Sequence, residues 1–101
     1  MQFEYDVEAM FHFTGDRKNN IYEGYRPAHM IQEGYLTTGV HHYYNIEDSA
    51  DGIKGMITFI SPEDYPNCLW VGKEIEMYEG IKMIGYAIIM QIFNPALEKI
   101  I

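Results

Sequence analysis

Gln2-Phe3-Glu4-Tyr5-Asp6-Val7-Glu8-Ala9-Met10-Phe11-His12-Phe13 alternates in character from residue to residue. Phe3, Tyr5, Val7, Ala9, Phe11 and Phe13 fall on one side, and Gln2, Glu4, Asp6, Glu8, Met10 and His12 on the other. Successive side chains of a strand point to opposite faces, so a period of two marks an extended chain with one buried face. The stretch predicts a long half-buried strand. The polar run 14–20 after it reads as a turn.

The rest of the chain continues in the same manner. Residues 21–26 read as a short strand, which Pro27 confines to an edge or bend because its ring removes a ladder N–H. Residues 28–32 resume it, and Glu33-Gly34 breaks it. A third strand, rich in Thr, Val and Tyr, is predicted over 35–44, followed by an acidic loop ending in the turn dipeptide Asp51-Gly52. Residues 53–61 form a fourth, stopped by Pro62, and 69–78 a fifth, closed by a tight Glu79-Gly80 turn. Residues 81–93 are the longest and most apolar, and Asn94-Pro95 ends them. Six strands without a long helix imply an all-β domain, a closed antiparallel barrel or a sandwich, and repeated interior glycines favour the six-stranded β-barrel. Gly39, Gly55, Gly72 and Gly85 lie inside these strands, where a sheet bends or another backbone approaches. The barrel is expected over 1–95 as one domain, with 96–101 as a short C-terminal tail or single helical turn.

Composition narrows the function classes. A chain of 101 residues that is 48% hydrophobic and 15% aromatic has enough material for one core and is not a disordered tail. No apolar run approaches the roughly 20 residues that span a bilayer as a helix, so no membrane role is expected, and the acidic, alternating opening is not signal-peptide chemistry. The single cysteine, Cys68, rules out an internal disulfide and points to a reducing cytoplasm. Fifteen acidic against seven basic residues give a net charge of −8, which disfavours phosphate backbones and suits a basic protein partner.

Chemistry is sparse in the pattern. His41 and His42 are neighbours and in a strand point to opposite faces, while His12 and His29 stand alone, so no metal site is expected. Cys68, after a proline-rich loop, is expected as a packed thiol. Glu74 and Glu76 share a strand face, as any solvated acidic stripe would. No G-x-x-x-x-G-K-[ST] occurs and no G-x-G-x-x-G precedes a helix, so neither a nucleoside-triphosphate site nor a cofactor is expected. The chain reads as a non-enzyme. Its aromatics are expected to cover the sheet, with one or two exposed ones, such as Tyr65 and Trp70, as binding anchors.

Gly24-Tyr25-Arg26-Pro27 resembles the Gly-Tyr-Arg-Pro corner in the C-terminal β-barrel domain of translation elongation factor Tu. Gly15-Asp16-Arg17 stands where that family has Gly-Gly-Arg, Thr37-Thr38-Gly39-Val40 is similar to its Thr-Thr-Asp-Val, and residues 79–89 resemble its closing Glu-Gly-Gly-Arg-Thr-Val-Gly-Ala-Gly-Val-Val. The likeness covers nearly the whole chain, with motifs in order. It implies a six-stranded barrel in which Gly24, Tyr25 and Pro27 form a structural corner, and in which the Glu79-Gly80 turn lies near tRNA. Departures touch the contact positions: Ala28 stands for Gln, Leu36 for Arg and His41 for Thr. The expected function is therefore a free-standing, non-catalytic module engaging a protein partner, such as an acidic antagonist or immunity-type inhibitor. The alternative is tRNA or elongation-factor-partner binding. Partner contacts are expected at Arg26, His41, His42, Tyr65, Trp70, Glu79 and Gly80.

Overall fold

The computed structural model describes residues 4–14, 21–46 and 52–100. Six strands, β1 (Val7–Phe13), β2 (Ala28–Gln32), β3 (Tyr35–Tyr43), β4 (Ile53–Phe59), β5 (Glu74–Glu79) and β6 (Lys82–Ile92), close into one barrel in the order β1-β4-β3-β2-β5-β6. Every neighbouring pair is antiparallel. This is the expected fold class. Closure gives every strand a hydrogen-bonded neighbour on each side.

The alternation of the opening stretch sets the inside of the wall. Val7, Ala9 and Phe11 are fully buried and lie opposite Ile57, Gly55 and Ile53 of β4. The other side of β1 meets β6, where Ala9 faces Ile89 and Phe11 faces Ala87. Gly55 and Gly85 are the close approaches that let these strands touch: a Cβ would stand 2.3 Å from the His42 carbonyl at Gly55 and 2.1 Å from the His12 carbonyl at Gly85. Ile31, Ile75, Met77, Ile84, Leu69 and Leu97 complete the core.

One predicted strand is absent and another is shorter than expected. Residues 21–26 form a turn, not a strand: Tyr25 N–H donates to the Tyr22 carbonyl, and Gly24 takes a φ of +85°, which glycine reaches without steric cost. The segment is still tied to the wall, because Gly24 N–H donates to His41 O and His41 N–H to Tyr25 O. Residues 69–73 likewise bend at Gly72 (φ +94°) before β5 begins at Glu74. The polar turn over 14–20 lies almost wholly outside the described residues, as do most of the acidic loop before β4 and residues 2–3 of the opening stretch.

Residues 96–100, within the segment expected as a tail or single helical turn, pack against the barrel. Pro95–Leu97 make one 3-10 turn, capped by the Asn94 side chain accepting from Ala96 N–H. Leu97 is fully buried, and Lys99 N–H donates to Leu69 O beside a bridge between Leu69 and Glu98. Asp6 secures the same end. Its carboxylate accepts from Phe59 N–H at 2.7 Å and from the Asn94 amide at 2.9 Å, and its carbonyl accepts from Phe93 and Asn94 N–H. Although it occupies the polar side of the opening alternation, Asp6 is buried, and these bonds replace the water it loses.

Candidate functional site

Two regions carry the polar chemistry: one inside the barrel, one on its outer wall. The interior region is built on β2 and β3. His29 from β2 and His41 from β3 are both fully buried, with their Nε2 atoms 2.7 Å apart. Gly39 makes the room, since a Cβ there would come within 2.9 Å of the His29 ring and 2.7 Å of Ile57. Phe11 lies against the His41 ring, with centroids 4.2 Å apart, and Phe59 meets His29 edge-on.

The contacts fix which nitrogen holds each proton. His29 Nδ1 faces the Thr37 carbonyl at 3.3 Å, and a carbonyl can only accept, so Nδ1 carries the hydrogen and Nε2 is bare. His41 Nε2–H then donates to His29 Nε2, which leaves His41 Nδ1 to accept from the Tyr43 hydroxyl at 2.8 Å. The bonds run one way: Tyr43 to His41 to His29 to Thr37. Both imidazoles are neutral in this order. Burial pushes the His29 pKa down to about 4, with the Thr37 carbonyl a weaker opposing influence. Burial also holds His41 well below the usual range, reinforced by His29 and His42. This pair was not legible as a unit, because nothing in sequence links position 29 to position 41.

The chain brings the corner motif to the same place. The Tyr25 hydroxyl donates to Glu79 Oε2, so the Gly-Tyr-Arg-Pro corner and the Glu-Gly turn grip one another beside the β2–β5 seam. Thr37 Oγ1 and the Tyr65 hydroxyl share a hydrogen bond of 2.8 Å. His41 and Tyr65, expected as partner contacts, are therefore core residues with their side chains sequestered from any partner. Glu79 is half-buried and engaged with Tyr25, leaving Gly80 as the exposed tip of the turn. Pro27 is buried behind Arg26, which is exposed. His42 points outward, as parity requires, and pairs with Glu23 at 2.9 Å. Cys68 is a packed thiol: it is buried, donates to Tyr65 O, and burial raises its pKa. Trp70 is 44% exposed, with the Lys73 and Lys99 ammonium groups 4.7 and 5.0 Å from its ring centroid.

The outer region is the seam between β2 and β5. It is paired only at Ala28↔Tyr78 and His29↔Met77. Beyond them a cavity of about 300 Å³ is lined by Met30, Gln32, Glu33, Lys73, Glu74 and Glu76. The Lys73 ammonium donates to Ile31 O at 2.7 Å and to Cys68 O at 2.8 Å, and burial lowers its pKa. Among the described residues no group of three or more His, Cys, Asp or Glu is arranged to hold a metal ion, and no helix is long and apolar enough to cross a membrane.

No family model, curated protein or solved structure matches this chain. The two regions therefore stand on their own geometry. The interior one has its bonding capacity used up by the protein itself. Among the described residues, the outer wall presents groups to another molecule.

Proposed function

We propose that the chain is a non-catalytic binding module that engages a protein partner through the outer wall of its barrel. The observation that carries this reading is the apolar surface at one end of that wall. Leu36 is 47% exposed and Ile60 64% exposed. Leu36 lies opposite Met30 across the β2–β3 ladder, and Ile60 N–H donates to Thr38 O two residues along the same strand. Tyr35, 40% exposed, continues the surface opposite Gln32. Scattered apolar side chains are ordinary on a protein surface, but neighbouring ones with polar margins mark interaction sites.

The charge of −8 supports a basic protein rather than a nucleic acid as the partner. The elongation factor Tu-type subclass of the barrel, and a place in the cytoplasm, belong to this proposal through the sequence motifs and the lone cysteine. Affinity capture of the tagged chain from native lysate at low salt, with and without RNase, tests the reading. A protein retained after RNase treatment and lost from a Leu36→Asp/Ile60→Asp variant is the expected outcome. Recovery that disappears with RNase would replace it with the translation reading, in which the module holds tRNA.

A further inference from the structure

The seam between β2 and β5 is the weakest in the barrel. The other five ladders carry between four and seven residue pairs, whereas this one carries two. Continuing its register would set Met30 opposite Glu76, Ile31 opposite Ile75, and Gln32 opposite Glu74. The pairing stops instead. The Lys73 ammonium takes the Ile31 carbonyl, a bond that a facing strand would otherwise offer. The residues released from the ladder line the cavity: Met30 and Gln32 on one wall, Glu74 and Glu76 on the other, with Glu33 and Lys73 at its ends.

Burial shows which way the walls face. Ile31 and Ile75 are fully buried and seal the interior, so the alternating neighbours Met30, Gln32, Glu74 and Glu76 project outward. The Glu33 and Glu74 side chains make no hydrogen bond or ion pair with a described residue. Glu76 accepts from the Tyr78 hydroxyl with one oxygen, and its other oxygen makes no hydrogen bond with a described residue. The one cation in the lining is spent on two carbonyls and the face of Trp70. Three carboxylates around one concave space give a negative potential that low-dielectric walls concentrate.

The geometry points to this cleft as the docking site for an extended, basic segment of a protein partner, a deepening that rests on the protein-binding reading above. Two strand edges that part from each other suit an extended chain, whose alternate side chains drop to one side. An arginine or lysine from such a segment places its charge between Glu33, Glu74 and Glu76 and its aliphatic stem along Met30. Leu36 and Tyr35 adjoin Met30 and Gln32 across the β2–β3 ladder, so the apolar surface and the acidic cleft form one continuous face. The partner's complementary feature is thus an apolar residue beside an alternating basic strand.

The test uses a capped peptide of alternating threonine and arginine, titrated into the isotopically labelled full chain at low salt and followed by amide chemical shifts. Saturable shifts confined to residues 30–36 and 73–76 are expected, with affinity about tenfold weaker in the Glu33→Gln/Glu74→Gln/Glu76→Gln variant. A Glu63→Gln/Asp64→Asn variant, altered in exposed acids elsewhere, binds as the wild type does. Shifts spread over the whole acidic surface, equal loss in both variants, or equal binding of a threonine–glutamate peptide would overturn the site. Captured protein separates this from the broader reading: a partner kept by the triple variant overturns the cleft and leaves the binding module intact. A partner lost from the triple variant alone supports both.

Discussion

The histidine pair inside the barrel, on β2 and β3, and the cleft on its wall, between β2 and β5, share one strand, yet they end in opposite states. β2 supplies His29 to the interior and Met30 and Gln32 to the surface; β3 supplies Thr37 and His41 inward and Leu36 outward. Inside, each ring nitrogen of the pair has a partner, and none of the described buried side-chain polar atoms lacks one. Outside, carboxylates surround a cavity with their one cation turned elsewhere. A satisfied polar group holds structure, whereas an unsatisfied one on a surface is available to bind. The difference assigns the histidines to stability and makes the acids the place for the proposed recognition.

The sharpest way to break this contrast is to open the interior. His41→Ala removes the donor to His29 and the acceptor from Tyr43 and leaves a cavity against Phe11, for a loss of about 3–5 kcal/mol by urea unfolding. A loss below about 1 kcal/mol would show that the pair carries little. Acid is the second lever. The folded His29 pKa of about 4 lies below its ordinary 6.5, so between these values the unfolded chain binds a proton that the folded one refuses. Its contribution is fully present above pH 6.5 and is lost as pH falls towards 4, amounting to roughly 3 kcal/mol. His41 moves in the same direction. Stability measured from pH 7.5 to 4 should decline across this window, and a His29→Leu/His41→Leu variant should decline less steeply.

Smaller effects sharpen the contrast. Tyr25→Phe removes the hydroxyl that joins the Gly-Tyr-Arg-Pro corner to Glu79, and thermal unfolding should register a loss of about 1 kcal/mol. Glu74→Gln, on the wall of the cleft, should change stability by no more than about 0.5 kcal/mol. If Glu74→Gln destabilises as much as Tyr25→Phe, the cleft belongs to the framework and the division fails.

The fold was legible where pattern and packing agree. Val7, Ala9 and Phe11 announce their face by strict alternation, and Gly55 and Gly85 mark strand approaches that only a missing side chain permits. In β3 the pattern misleads. Leu36, Thr38 and Val40 form its more apolar parity, but they face outward, while Thr37, Gly39, His41 and Tyr43 face in. The inversion follows from pairing: Gly39 must lie beneath His29, and the polar inward residues complete one another across strands, which a single strand's composition cannot reveal. Asp6 is a second inversion, buried because Phe59 and Asn94 come to it from distant parts of the chain. The cleft was hidden for a different reason. Glu74 and Glu76 read as a solvated stripe, and only the early end of the β2–β5 ladder sets them around a cavity.

His29 and His41, adjacent to surface residues in sequence, form a neutral interior bond that supports the barrel. Long-range nitrogen–proton correlation of the histidine side chains, recorded between pH 7.5 and 5, tests it most directly. The expected spectrum has His29 protonated at Nδ1 and His41 at Nε2, with both rings neutral throughout the range. An imidazolium signal from either residue near pH 6 would rule the neutral pair out, because it would place a solvated, titrating histidine where the interior pair should be.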